Sequence, residues 1–188
     1  MKIKRSRVVL AVLVVVLGVL VFQLQCGEQY KPLRIAVAGT PEQVGASFGR
    51  QCGPSARKLY PMFLRLAVVA SAHGKEDLYT RARDIAEHIA EEDVREMKAL
   101  AEAAGMSYED VLFLNVWYNL VSNRVFCRQL AVWGKRTEDG ELIHARNLDW
   151  PDYPGKPLCK NNLILDVKPQ GGLEYVILTW PGLIGALT

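Results

Sequence analysis

The chain has 188 residues, half of them apolar, and a formal net charge of +3 at neutral pH. This length and composition suffice for one domain, or for part of a larger one, and they exclude an intrinsically disordered chain. Four basic residues, Lys2, Lys4, Arg5 and Arg7, precede the first apolar segment, and the other 19 basic residues balance 20 acidic ones, so no nucleic-acid partner is expected.

The N-terminal segment predicts a membrane anchor. Val8 to Leu24 is apolar apart from Gln23 and would be about 25 Å long as a helix, between a signal-peptide core and a full membrane span. The basic flank predicts that everything after Cys26 is extracytoplasmic. We expect residues 1–27 to be an uncleaved anchor, with a cleaved signal or a lipidated Cys26 as alternatives, so the protein is membrane-anchored or secreted.

From Thr40 the sequence predicts helix for about eighty residues. Thr40, Pro41 and Glu42 supply an N-cap, a proline at the first helical position and an acid in the first turn of a short helix. The other predicted helical segments are Tyr60–Ala72, Asp77–Ala104 with a break near 91–93, and a helix that begins after Ser107 and follows the C-cap Gly105.

After Asn123 the apolar period changes from helix to strand. The turn Thr137–Gly140 ends in Asp-Gly, a strong hairpin signal, and further strands are predicted at 162–167 and 174–179. A helical first half followed by an antiparallel second half defines the α+β class.

The cysteines and histidines do not suggest a metal site. Cys26, Cys52, Cys127 and Cys159 form no Cys-x-x-Cys pair, and the three histidines are scattered. We therefore expect no metal and no cofactor. A disulfide between Cys52 and Cys159 is compatible with an oxidising compartment and would leave Cys127 free.

The predicted hairpin gives Cys127 a chemical context. Folding the chain about 138–140 places Cys127 opposite residues 149–152, close to Asp149. Alternation of side chains along the strand puts Arg146 and Asp149 on opposite faces, unless the strand ends near Asn147. A thiol attacks a carbonyl only as the thiolate and needs a base. If the bond before Cys127 were cleaved, its own α-amine, with a pKa of about 8, would supply that base.

Three segments in this order carry a family resemblance: "GTPEQVGASFGRQ", "MKALAEAAGMSYEDVLFLN" and, after Cys127, "DGELIHARNLDWP". Together they resemble the penicillin acyltransferase and choloylglycine hydrolase group of N-terminal nucleophile hydrolases, to which acid ceramidase is related. The resemblance implies an αββα sandwich made as a precursor that cleaves itself between Phe126 and Cys127. Residues 28–126 would be the pro-segment, or small chain, and 127–188 the start of the catalytic β part.

The resemblance also implies roles for individual residues. Cys127 would be the nucleophile and its new amine the base, Asp149 would hold that amine, and Arg146 would support the thiolate or bind substrate. Asn147 would help to order the site. The reaction would be hydrolysis or acyl transfer at a linear amide of a small N-acyl compound, and the cleaved pro-segment would remain a partner.

The chain also departs from the family pattern. Phe126 stands where a small residue is common, and Arg128-Gln129 stand where hydroxylic residues are common. Relatives continue past the segment that resembles 180–183 and add a downstream asparagine, so we expect these residues to form the first half of the fold. Two alternatives stay open: an inactive, membrane-tethered binding or scaffold domain on the same fold, and a thiol hydrolase that uses a distant histidine.

Overall fold

The computed structural model describes residues 31–121, 127–148, 158 and 160–185, and all of these but Lys31 belong to the unit Pro32–Thr188. In this part of the chain the fold is mixed α+β. The strands are β1 (Leu33–Gly39), β2 (Cys127–Val132), β3 (Ile143–Leu148), β4 (Leu163–Pro169) and β5 (Tyr175–Thr179). The helices are α1 (Pro41–Ser71), α2 (Lys75–Ala86), α3 (Glu91–Ala104) and α4 (Tyr108–Val121).

The first helix begins where the sequence predicts but is much longer. The Thr40 hydroxyl accepts a hydrogen bond from the Gln43 amide, and the Gln43 side chain accepts one from the Thr40 amide, which completes a capping box. The prediction of a short helix is wrong, because α1 runs for 31 residues through Pro54 and Pro61. Its buried side continues at helical spacing past both prolines, through Phe48, Cys52, Ala56, Leu59, Phe63 and Ala67.

The end of α3 and the start of α4 confirm the prediction, but the break predicted near 91–93 lies earlier, at 87–90, because Glu91, Glu92 and Asp93 form the first turn of α3. Gly105 ends α3 in the left-handed region at φ 64°. The Ser107 hydroxyl accepts a hydrogen bond of 3.1 Å from the Asp110 amide and so caps the start of α4. These local signals set the helix ends because they satisfy backbone groups that the helix leaves unpaired.

Three glycines bring α1 and α3 into close contact. A Cβ at Gly45 would lie 2.1 Å from the Glu96 carbonyl oxygen, and one at Gly49 would lie 2.5 Å from that of Leu100. A Cβ at Gly53 would lie 2.8 Å from the Cα of Ala104. The two backbones therefore meet without intervening side chains.

The larger sheet has the strand order β1-β4-β5, in which β1 is parallel and β5 antiparallel to β4. The predictions of β4 and β5 and of antiparallel pairing within the second half are confirmed. Strand β1 of the first half was not predicted, and it joins the sheet parallel to β4. Strand β1 has only two alternating buried residues, Ile35 and Val37, directly before the cap of α1, which is a short signal in the sequence. One face of the sheet is buried in a core with α1 and α3, and it carries Ile35, Val37, Leu163, Leu165, Val167 and Ile177.

The opposite face of this sheet is partly exposed. Val176 is 56% exposed, and Ile164 and Leu178 are half-buried. Across the same face the Arg34 guanidinium makes two hydrogen bonds of 2.7 Å to the Asp166 carboxylate. The pairing lowers the pKa of Asp166, chiefly through the hydrogen bond from Arg34.

The loop after β5, residues 180–185, is fixed to α4 by the amide of Asn115. This amide donates to the carbonyl oxygens of Val111 and Gly182 and accepts from the Ile184 amide, each at 2.9 Å. The Thr179 Oγ1 atom lies 3.0 Å from the carbonyl oxygen of Leu183 and 2.9 Å from that of Gly185, which share its single O–H donor. The Asn115 amide therefore supplies hydrogen-bond partners to backbone groups of residues 180–185, most of which are buried.

A polar network joins three helices near the start of α4. Tyr79 of α2 donates a hydrogen bond to Asp110 and shares one with Tyr60 of α1, while the Lys75 ammonium lies 4.9 Å from the centre of the Tyr79 ring. Burial raises the pKa of Asp110, but hydrogen bonds from Tyr79, Ser107 and Tyr60 outweigh burial and leave the pKa lowered. The network therefore stabilises the charged carboxylate.

Among the residues that the structure describes, no helix is both long and apolar enough to cross a bilayer. The predicted anchor, Val8 to Leu24, lies outside the described residues.

Candidate functional site

Cys127 is the first residue of the β2–β3 hairpin. Its antiparallel partner is Leu148, one position before the predicted range 149–152. The prediction was wrong because the pairing is centred between Thr137 and Glu138, earlier than the Asp-Gly pair. A 3-10 turn at 134–136 precedes that centre, and hydrogen bonds from Gly134 to Gly140 and from Thr137 to Glu141 close the loop.

Arg146 occupies a position close to Cys127 in the hairpin. Arg146 pairs with Gln129, which lies two residues after Cys127, and Leu148, the partner of Cys127, lies two residues after Arg146. Because side chains alternate along a strand, positions 127, 129, 146 and 148 belong to one face of the hairpin. Arg146 is half-buried, although positions 141–145 before it are exposed.

The other predicted site residues are placed less fully. Asn147 pairs with Arg128, and so belongs by alternation to the face opposite that of Cys127 and Arg146. Asp149 and Phe126 lie outside the described residues. The structure thus brings Cys127 and Arg146 to neighbouring positions of the hairpin and gives no geometry for Asp149.

Gln129 and His144 belong to the same face and were missed by the sequence reasoning. The His144 Nε2 atom lies 3.4 Å from the Gln129 Oε1 atom, and His144 pairs with Ala131. Which of the two groups donates in this contact depends on the tautomer of His144. Only the correct register would have revealed this cluster, since 15 positions separate the two residues in sequence.

Much of the hairpin surface is apolar and exposed. Leu130 and Trp133 are 61% and 64% exposed, and Leu142 and Ile143 are also more than half exposed. A two-stranded hairpin is only marginally stable by itself in water, so side chains of this kind ordinarily gain further contacts. The exposed apolar side chains of Leu130, Trp133, Leu142 and Ile143 therefore form a candidate contact surface near the tip of the hairpin.

Cys52 has a different environment. It is 2% exposed in the core, its thiol is free, and burial raises its pKa to about 12. A thiol with this pKa stays protonated at neutral pH and does not act as a nucleophile. Cys159, its suggested disulfide partner, lies outside the described residues.

The described parts of the chain contain no group of three or more His, Cys, Asp or Glu side chains placed to hold a metal ion.

Comparison with known proteins gives two partial relatives, and no protein-family model matches the chain. Protein dcd1B of Dictyostelium discoideum is 32% identical over 95 residues, which are 50% of this chain and 18% of that protein. Protein dcd1A of the same organism is 27% identical over 100 residues, which are 50% of this chain and 22% of that protein. The chain thus matches about a fifth of the length of these relatives, and neither name states an activity.

Proposed function

We propose that this protein is a cysteine N-terminal nucleophile enzyme that hydrolyses or transfers the acyl group of small, linear N-acyl amides. The observation that carries the proposal is the register of the hairpin. Cys127 starts a strand, and a half-buried arginine, Arg146, belongs to the same face one diagonal step away. The positive charge of an arginine at such a neighbouring position favours the thiolate of Cys127 over the thiol.

The proposed activation releases the amine of Cys127. The thiol attacks the carbonyl carbon of Phe126, the peptide nitrogen leaves with a proton, and a thioester joins the two residues. Water then hydrolyses the thioester, which gives a carboxylate at Phe126 and a free thiol and α-amine on Cys127. One residue then carries both the nucleophile and the base.

The proposed catalytic cycle uses the same atoms. The α-amine of Cys127, held by Asp149, takes the thiol proton, and the thiolate attacks the substrate carbonyl. The substrate amine leaves with that proton, and an acyl-cysteine remains until water or a second amine accepts the acyl group. Arg146 stabilises the thiolate, and Asn147 helps to order the site.

The fold supports an αββα sandwich with a retained pro-segment. Helices α1 and α3 cover one face of the larger sheet, and the partly exposed face, with Val176, Ile164 and Leu178, suits contact with a second sheet. Strand β1, from the pro-segment, pairs along its whole length with β4, which follows the cleavage point. Cleavage at Cys127 therefore leaves two chains that share one core, and we expect them to copurify.

The proposed location is the extracytoplasmic side of a membrane, through the anchor at residues 1–27. A site held near a bilayer favours lipid-like acyl groups, which makes N-acyl compounds with long acyl chains the first substrates to test.

Intact-mass analysis of the protein expressed from its own gene tests the proposal. We expect two chains, a new N-terminus at Cys127 and loss of cleavage in Cys127→Ala. Cys52→Ala is the matched control and should be cleaved normally, because Cys52 is buried in the core. A wild-type protein that acts on amides while the bond before Cys127 stays intact would refute the proposal.

The same experiment separates the two alternatives. An intact chain without amidase activity would indicate a binding or scaffold domain, whereas cysteine-dependent activity without cleavage would indicate a thiol hydrolase with a separate base. His144 does not suit that base. Its partner Ala131 is four residues from Cys127, about 13 Å along the strand, far beyond the distance of a direct proton transfer.

A further inference from the structure

The side of α1 that faces away from the core carries basic and apolar residues but no acidic one. These residues recur every three or four positions, so they form one continuous line, about 28 Å long, on the surface of the helix. We call this line the basic stripe, and it consists of Arg50, Pro54, Arg57, Lys58, Pro61, Arg65, Val68 and Val69, all of them exposed. The other exposed residues between Arg50 and Arg65 are Gln51 and Ser55, which are uncharged.

The positive charge of the basic stripe is a local feature of α1. The acidic residue of this helix is Glu42, which lies in the first turn and pairs with Arg95. Helix α3, in contrast, has five acidic residues and two basic ones, and the chain after its first seven residues is nearly balanced. The bases of α1 therefore do not follow from a generally basic composition.

Three cations of the basic stripe are available to an external partner. In the described part of the chain, the side chains of Arg50, Lys58 and Arg65 make no ion pair and no hydrogen bond. The Arg57 guanidinium, by comparison, donates to the carbonyl oxygen of Ala104. Long, flexible stems allow such charged groups to reach anions beside the helix.

The basic stripe ends in exposed aliphatic side chains. Val69 is 78% exposed and Val68 is 36% exposed, one turn beyond Arg65. A soluble acidic polypeptide would bind the cations and leave the valines in water, whereas a bilayer offers anionic headgroups to the cations and an apolar boundary to the valines. A bilayer therefore matches both parts of the basic stripe.

We propose that the basic stripe of α1 binds the anionic headgroups of a lipid bilayer. Val68 and Val69 then lie at the boundary between headgroups and acyl chains. This inference goes beyond the proposed function and does not depend on cleavage before Cys127, because the whole stripe belongs to one helix of the uncleaved chain.

Lysine acetylation in the complete protein tests the proposal. The protein is mixed with vesicles of phosphatidylcholine alone, or of equal parts phosphatidylcholine and phosphatidylglycerol, and mass spectrometry gives the acetylation rate of each lysine. Lys58 is the reporter of the basic stripe, and exposed Lys98 on α3 is the internal control. Comparison of the two lipid compositions isolates the effect of lipid charge, since the predicted anchor would hold the protein to both kinds of vesicle.

We expect phosphatidylglycerol to slow the acetylation of Lys58 at least about fivefold, to leave Lys98 unchanged, and to lose its effect at high salt. The double variant Arg50→Gln/Arg65→Gln should lose most of the protection, because each basic residue at an anionic surface contributes about a fivefold factor in binding. The matched control is Arg83→Gln/Arg136→Gln, which removes two exposed charges elsewhere and should keep the protection.

Equal acetylation of Lys58 with both kinds of vesicle would overturn the inference, and so would protection that the variant Arg50→Gln/Arg65→Gln retains. Protection by polyglutamate but not by vesicles would overturn it in favour of an acidic polypeptide. Protection without vesicles that increases with protein concentration would overturn it in favour of a second copy of the chain. Cys127→Ala should give the same protection as the wild type, so failure of the proposed function leaves this result unchanged.

Discussion

The close contact between α1 and α3 predicts that Gly49→Ala destabilises the protein, which is the opposite of the usual effect of replacing a helical glycine by alanine. In an exposed helix interior, replacing glycine by alanine stabilises a protein by about 0.5–1 kcal/mol, because glycine loses more backbone entropy on folding. At position 49 the new Cβ would lie 2.5 Å from the Leu100 carbonyl oxygen, about 0.9 Å closer than the 3.4 Å at which ordinary contact begins. The neighbouring group is backbone and has no rotamer to change, so the two helices must separate.

Overpacking of a tight core costs about 1–3 kcal/mol and occasionally more. After subtraction of the gain in helix propensity, we expect Gly49→Ala to lower the free energy of unfolding by about 1–2 kcal/mol. For a protein of this size that is a fall in Tm of about 2–8 °C. Urea and thermal unfolding followed by far-UV circular dichroism measure both quantities.

Gly185→Ala is the matched control, since a Cβ at Gly185 has no neighbour within 4 Å. It should leave stability unchanged or raise it slightly. The reasoning is refuted if Gly49→Ala is as stable as the wild type or more stable, because the helix propensity would then outweigh the contact.

Three further predictions concern stability. Burial, and secondarily Asp93, raises the pKa of Glu96 to about 7, so its ionisation destabilises the folded protein as the pH rises from about 4.5 to 7. Glu96→Gln should therefore raise the free energy of unfolding by about 1–2 kcal/mol at pH 8 and leave it unchanged at pH 4, as measured by urea unfolding at both pH values. Asn115→Leu should cost about 3 kcal/mol in urea unfolding, because buried backbone groups of the loop after β5 lose their partners, while exposed Asn119→Leu on the same helix should cost little. The lowered pKa of Asp110 implies that its charge stabilises the fold above pH 3.8 and that this contribution disappears in acid, so Asp110→Asn should lower Tm at pH 7 but much less at pH 3.

The sequence predicted those features that depend on neighbours along the chain. The Thr40 cap, the Gly105 end of α3 and the Ser107 cap all satisfy backbone groups within one turn, and each was found in place. The sequence could not predict that α1 continues past Pro54 and Pro61, because that depends on a side of the helix that is buried against distant residues.

The candidate site was predicted in composition but not in register. Cys127 and Arg146 were both identified, yet the Asp-Gly pair suggested a turn centre too late in the chain, and Cys127 was placed opposite Asp149–Asp152 instead of Leu148. The 3-10 turn at 134–136 has no strong sequence signal, and a shift of the centre by one or two residues changes which side chains share a face. Gln129 and His144 were missed for that reason.

The parallel pairing of β1 with β4 has a consequence for synthesis of the protein. Leu33 pairs with Leu163, so the central strand of the larger sheet leaves the ribosome long after the strand that must lie beside it. At about 5–20 residues per second, that delay is about 7–26 s. During this time the apolar sides of the nascent helices that β4 and β5 cover in the folded protein stay without those strands.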